Sequence, residues 1–233
     1  MIILALESTA IAASVALTRD GVLLAESTVN RGNTHSETLL PMVEAIMDRL
    51  DLHISDVDVF AVSAGPGSFT GVRIGVSTVK GLAFGSGKPC VGVSSLESLA
   101  ENLSVIPNAL ICPVMNARRN QVYTALFRNG ETGLTHLLPD TAIAVEELET
   151  ALAAYEEPVF FVGDGYDLVV GQIRHTFRPV PVRLRLQSAA SVAKVAERAY
   201  QSGVFTTDAA LTPVYLRPSQ AERTRNEQLK NNS

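Results

Sequence analysis

The chain has 233 residues, 46% of them apolar and 18% charged, and a formal net charge of −5. This length holds one large domain or two small ones, and the composition is that of a packed globular protein rather than a disordered one. The negative balance makes the chain alone a poor nucleic-acid binder, and no apolar run reaches the length of a bilayer span. The N-terminus, Met1-Ile2-Ile3-Leu4-Ala5-Leu6-Glu7, has no basic region or cleavage site and reads as a strand. Cys90 and Cys112 both sit in apolar runs and read as buried thiols, which points to the cytoplasm.

In chain order, residues 2–6 form a short apolar strand ending at Glu7. Residues 14–19 and 22–27 read as two further strands, and Asp20-Gly21 between them is a strong hairpin signal. After a polar loop over 30–33, Thr34-His35-Ser36-Glu37 has the form of a capping box, with Thr34 as N-cap and Glu37 reaching back. His35, in the first turn, is expected at the surface. Leu39, Val43, Ile46, Met47 and Leu50 then recur at helical spacing, and Pro41 predicts a kink in that helix. Residues 57–62 read as a buried strand and 70–84 as a helix. Residues 90–93 form the next strand, and Ser94 caps a short helix with Glu97 at its third position.

Between the strand at 57–62 and the following helix lies Ala64-Gly65-Pro66-Gly67-Ser68-Phe69-Thr70-Gly71-Val72-Arg73-Ile74-Gly75. Gly65 can take backbone angles closed to other residues, and Pro66 stiffens the turn. Free amides at the start of a helix suit an anion, so Glu7, Ser8, Gly65, Gly67, Ser68 and Gly71 are candidates for a place beside a nucleotide or phosphate. The spacing matches neither the dinucleotide fingerprint nor the P-loop. Gly71 and Gly75 share one helix face, at a cost of roughly 2 kcal/mol in helix propensity. Such a cost predicts close packing, either within the core or against a partner's helix.

The second half repeats the first. Residues 110–115 form a strand ending at Asn116, 122–128 another with Asn129-Gly130 as its turn, and 134–138 a weaker third. Residues 145–155 read as a helix, 159–162 as a strand, and Ser188 caps a last helix through Tyr200 that Gly203 stops. Ala16-Leu17-Thr18-Arg19-Asp20-Gly21 matches Ala125-Leu126-Phe127-Arg128-Asn129-Gly130 at an offset of 109 residues, which also sets Glu7 on Asn116. The expected fold is α/β, two duplicated actin-like ATPase (ribonuclease H-like, βββαβα) halves, the second degenerate. The expected organisation is 1–104, 105–217 and a polar, disordered tail over 218–233.

Catalytic equipment is sparse. His35, His53, His136 and His175 form no helical ligand pair, Asn116 is neutral where magnesium prefers a carboxylate, and Ser68 is not in a nucleophile elbow. Arg118 and Arg119 read either as phosphate contacts or as a solvated loop, and Phe69 as a plug of the turn. No catalytic residue and no metal ligand is assigned. An active small-molecule kinase or ATPase of the same fold is the rival reading.

The stretch Gly65-Pro66-Gly67-Ser68-Phe69-Thr70-Gly71-Val72-Arg73-Ile74-Gly75 resembles the signature of the bacterial TsaB (YeaZ) family. Glu7-Ser8-Thr9, His35-Ser36-Glu37 with Leu39-Leu40-Pro41-Met42-Val43, and Pro213-Val214-Tyr215-Leu216-Arg217 resemble other parts of it. The family commonly has aspartate where Glu7 and Asn116 stand here. The resemblance implies a non-catalytic partner of a TsaD-type subunit. With a TsaE-type ATPase, that complex transfers a threonylcarbamoyl group from threonylcarbamoyl-AMP to N6 of the adenosine 3′ of the anticodon in tRNAs reading codons that start with A. It further implies that tRNA is met only through the complex and that ATP or ADP sits at the complex interface if anywhere; no membrane partner is expected, and the residues leave open whether the isolated chain is a homodimer. On this reading, partner contacts come from Leu39, Leu40, Met42, Val43, Ile46 and Met47 on the first helix. Gly71, Arg73, Gly75, Thr78, Val79 and Leu82 supply them on the second.

Overall fold

The computed structural model describes residues 1–32 and 34–217. The expected tail over 218–233 lies outside the described residues. The first half runs β1 (Ile2–Glu7), β2 (Ala13–Arg19), β3 (Val22–Val29), α1 (His35–Arg49), β4 (Val59–Gly65), α2 (Phe69–Ala83), β5 (Cys90–Ser94) and α3 (Ser95–Glu101). Its sheet has the order β3-β2-β1-β4-β5. β1 and β2, and β2 and β3, pair antiparallel, whereas β1–β4 and β4–β5 are parallel.

The second half repeats this plan in smaller pieces. It comprises β6 (Leu110–Asn116), β7 (Gln121–Gly130), β8 (Gly133–Ala144), α4 (Val145–Leu152), β9 (Val159–Val162), α5 (Tyr166–Val170), β10 (Phe177–Arg178), α6 (Val182–Arg185) and α7 (Ala189–Gln201). Its sheet order, β10-β9-β6-β7-β8, is the same arrangement read from the other edge. The duplication expected from the letters is thus a duplication of topology.

The central strands are apolar on both faces because both faces are covered. Leu4, Leu6 and Val62 pack with α1 and α2 residues in one core, while Ile3, Ala5, Val59 and Ala61 pack with Ala189, Val192 and Ala196 of α7 in another. In exchange, α3 gives Leu96, Leu99 and Ala100 to the core of the second sheet. Each half of the sequence therefore lends one helix to the other's sheet, and this burial of apolar surface, at ~25 cal/mol per Å², binds them together.

Two local expectations are corrected. Thr34 makes no side-chain cap; its carbonyl takes the amide of Glu37 at 3.0 Å instead, so the capping box is not formed. Pro41 lies inside α1 on its exposed side, and the helix runs through it from His35 to Arg49. Asn129-Gly130 is not the turn. Asn129 is buried, and its side-chain amide donates to the carbonyls of Ser104 and Ile106, both at 2.7 Å. The strands continue until Gly130 pairs with Gly133, whose φ is +105°.

Candidate functional site

β1 and β4 end side by side in the first half, as β6 and β9 do in the second, and between these ends lies a cleft of about 670 Å³. Thr9 and Ser68 line it from one side, Asn116, Arg118 and Asp164 from the other, and Tyr215 and Arg217 close its mouth. Gly65, at the end of β4, has φ +119°, and a Cβ there would stand 2.3 Å from the Val214 carbonyl oxygen. Gly163, just after β9, has φ +120°, and a Cβ there would stand 2.2 Å from the carbonyl oxygen of Val114. Gly163-Asp164-Gly165 is thus the counterpart of Gly65-Pro66-Gly67. It was missed in the sequence, although a Gly-x-Gly directly after an apolar strand was the available signal.

The turn that looked open is filled by the chain's own backbone. The Ser68 amide, which was expected to face an anion, donates to the Thr9 carbonyl at 2.7 Å. A Cβ on Gly67 would meet the same oxygen at 2.4 Å. Ser68 caps α2 by accepting from the Gly71 amide at 3.3 Å. A Cβ on Gly71 would stand 2.1 Å from the Ser8 carbonyl oxygen, and one on Gly75 2.4 Å from Ser8 Oγ, which itself donates to the Gly71 carbonyl at 2.9 Å. Gly71 and Gly75 are buried, so the close approach they permit is that of the end of β1, not of a partner's helix.

Glu7 and Ser8 lie behind the cleft rather than in it, and both are buried. One Glu7 oxygen accepts from the Thr9 amide and hydroxyl, each at 2.6 Å, and the other from Ser63 Oγ. Burial pushes the Glu7 carboxyl above its ordinary range, against hydrogen bonds from Ser63 and Thr9 and the nearby His35. His35 corrects its expectation as an exposed side chain: it is half-buried, with Nε2 2.7 Å from the Ala10 carbonyl oxygen. It folds back because the loop after β1 offers that carbonyl beside the first turn of α1.

On the opposite wall, Asn116 Oδ1 accepts from the Arg118 amide at 2.8 Å. Arg118, Arg119 and Asn120 have φ of 63°, 55° and 57°, three successive left-handed residues without a glycine among them. This sharp loop turns Arg118 into the cleft. Asp164 is open to solvent, yet the cleft walls desolvate it and raise its carboxyl, against hydrogen bonds from its own and the Asn116 backbone. Burial pushes the thiols of Cys90 and Cys112 up to about 11 and about 12, which leaves both un-ionised. Among the described residues, no three His, Cys, Asp or Glu side chains come together as a metal-binding group.

The expected partner surface divides in two. Leu39, Met42, Val43, Ile46, Met47 and Val79 are buried in the chain's own core and are not free to meet another molecule. Leu40 is 44% exposed, Arg73 is exposed, and Thr78 and Leu82 are half-buried. Arg73 is already engaged: its guanidinium lies 4.2 Å from the centre of the Phe69 ring, and Nε donates to the Tyr215 hydroxyl at 2.9 Å. Among the described residues, no helix is long and apolar enough to cross a membrane.

A family model described as TsaD: tRNA N6-adenosine threonylcarbamoyltransferase matches residues 23–224. A Bacillus subtilis protein named tRNA threonylcarbamoyladenosine biosynthesis protein TsaB is 36% identical over 163 residues, which are 70% of this chain and 71% of that protein. The solved structure of YeaZ from Pseudomonas aeruginosa is 30% identical and superposes with a TM-score of 0.80, over 92% of this chain and 99% of its own. The activator of the 2-hydroxyisocaproyl-CoA dehydratase from Clostridium difficile, solved with bound ADPNP, shares the fold alone, at 13% identity and a TM-score of 0.53 over 87% of this chain and 97% of its own. With its duplicated actin-like fold, the chain belongs to the TsaB (YeaZ) family of tRNA threonylcarbamoyladenosine biosynthesis proteins.

Proposed function

We propose that this chain is the non-catalytic partner subunit of a TsaD-type threonylcarbamoyl transferase, working in the cytoplasm with a TsaE-type ATPase and meeting tRNA only through the complex. One observation carries the reading. The first half's parts of an actin-like site that would hold metal and phosphate are satisfied from within, Glu7 by Thr9 and Ser63 and the Ser68 amide by Thr9, and their counterpart in the second half, Asn116, is neutral. A fold kept while its ligand groups turn inward serves as a scaffold. The TsaD-type subunit meets the outer faces of α1 and α2, where Leu40, Arg73, Thr78 and Leu82 remain accessible. The isolated chain uses the same faces to pair with itself, and any ATP or ADP belongs at the joint between subunits.

The test is reconstitution of transfer from TsaD-type and TsaE-type proteins, tRNA and threonylcarbamoyl-AMP, with and without this chain. Modified tRNA should fall to background without it, and the chain alone should neither transfer nor turn over ATP. Steady ATP turnover by the pure chain would overturn the reading. Leu40→Asp should leave the melting temperature unchanged and weaken capture of the TsaD-type subunit at least tenfold, roughly 1.4 kcal/mol. Normal capture would move the interface elsewhere.

A further inference from the structure

We propose that residues 213–217 are a latch across the cleft, with Arg217 as its catch and α3 as the hinge it works against. Among the described residues, the chain after α7 has no helix or strand of its own, yet it is held to the first half at several points. Cys90 and Thr206 exchange both backbone hydrogen bonds at 2.8 Å, extending the edge of the first sheet by one bridge. Leu211 is buried in the core under α2, and Lys80 Nζ donates to the carbonyls of Ala209 and Leu211 at 3.0 and 3.1 Å. Up to this point the segment belongs to the first half.

From Pro213 onward it crosses the glycine turn. The Val214 amide donates to the Ala64 carbonyl at 2.7 Å, and the Val214 carbonyl lies over Gly65, where only a glycine leaves it room. Tyr215 stacks on Phe69 with ring centres 4.6 Å apart and 23° between planes, and Arg73 holds its hydroxyl. Two residues later the side chain changes sides. Arg217 Nη1 donates at 3.2 Å to the carbonyl of Ala117, which directly follows β6 in the second half.

The two ends of the cleft are therefore closed by different physics. At α3 the halves are joined by its apolar side chains, buried in the second core, and by Ser94 Oγ on Asp140 of β8 at 2.5 Å, while Ser95 Oγ on the Pro66 carbonyl, also at 2.5 Å, ties the helix back to the turn after β4. At the mouth, besides the apolar contact of Ala10 with the second core, Arg217 holds the second half through a half-exposed hydrogen bond, which exchanges readily with water. Such a pairing of a packed joint with a weak clasp opens by rotation about the joint, with the strap staying on the first half through Tyr215.

The test measures the distance between the halves in the full chain. Spin labels go on Thr70→Cys and Asp167→Cys, both exposed and on opposite halves, while Cys90 and Cys112 are buried and stay unlabelled. Arg217→Ala should shift the distance distribution to longer values and broaden it at an unchanged melting temperature. Arg217→Lys, which keeps a long donor, should restore part of the short-distance population. A distribution for Arg217→Ala that coincides with the wild type would overturn the proposal. So would a lowered melting temperature with unchanged distances, since Arg217 would then be a stabilising contact and not a catch.

Discussion

Glu7 ends β1 with every one of its hydrogen bonds made inside the chain, in a place where water does not reach it. Its ionised form is desolvated, so its folded pKa lies above its unfolded value near 4.5. For a carboxyl shifted upward, the stability it contributes is complete below the unfolded pKa and is lost as pH rises through the folded one. Glu7→Gln removes that titration. It keeps the oxygen that accepts from Thr9 and turns an NH₂ group toward Ser63, whose hydroxyl can accept as well as donate. The variant should therefore melt above the wild type at pH 8. The gap should close toward pH 5. Melting curves at the two pH values decide it: a constant gap would mean that Glu7 does not titrate in this window. Nothing in this expectation needs a ligand, which fits a carboxyl that serves the loop after β1.

At the scale of the element, α2 carries its glycines for two different reasons. Gly71 faces the backbone oxygen of Ser8, which cannot move without shifting β1, so Gly71→Ala should destabilise by about 1–3 kcal/mol. The helix propensity gained, roughly 1 kcal/mol, does not offset a displaced strand. Gly81, on the same helix, is exposed with nothing within 4 Å of an added Cβ, so Gly81→Ala should stabilise by about 0.5–1 kcal/mol. Paired urea melts check both signs at once, and equal effects would mean that the helix is not seated on Ser8. The same helix marks the limit of what letters convey. Spacing says that one face of α2 must be small; it does not say whose atoms come close, because that depends on where β1 ends in three dimensions. Local signals fared better. Asp20-Gly21 turns as expected, with φ of 50° and 77°, since a two-residue hairpin is decided by its own backbone. Asn129-Gly130 has the same kind of letters and does not turn, since Asn129 is claimed by two carbonyls of the loop before β6. The second glycine turn escaped notice because α4 has 8 residues where α1 has 15, so the 109-residue offset no longer holds beyond β8.

For the molecule as a whole, the exchange of α3 and α7 between the halves makes two small sheets into one cooperative body, and Glu101 sits where those helices meet. Its side chain is 2% exposed, with Lys194 Nζ and Arg198 Nη1 of α7 each 2.6 Å from one of its oxygens. Burial alone would raise this carboxyl, but Lys194, Ser104 and Arg198 together hold it below its ordinary range. The sign is thus opposite to that of Glu7: the stability it contributes is present above the unfolded pKa and is lost as pH falls through the folded one. The cations are 57% and 39% exposed, so water screens their side of the pair, and its worth lies between the surface and the buried limits. Glu101→Gln should therefore cost about 2 kcal/mol at pH 7, less than the 3–5 kcal/mol of a fully buried pair broken on one side. The deficit should shrink as the pH falls below the unfolded value of 4.5 toward the lower folded one. Because α3 belongs to the core of one sheet and α7 to that of the other, the variant should also unfold over a broader urea range, as the halves begin to melt separately. Urea melts at pH 7 and pH 4 read midpoint and slope together. An unchanged slope with a lowered midpoint would mean that the apolar packing of α3 couples the halves by itself, and that the ion pair adds stability without adding cooperativity.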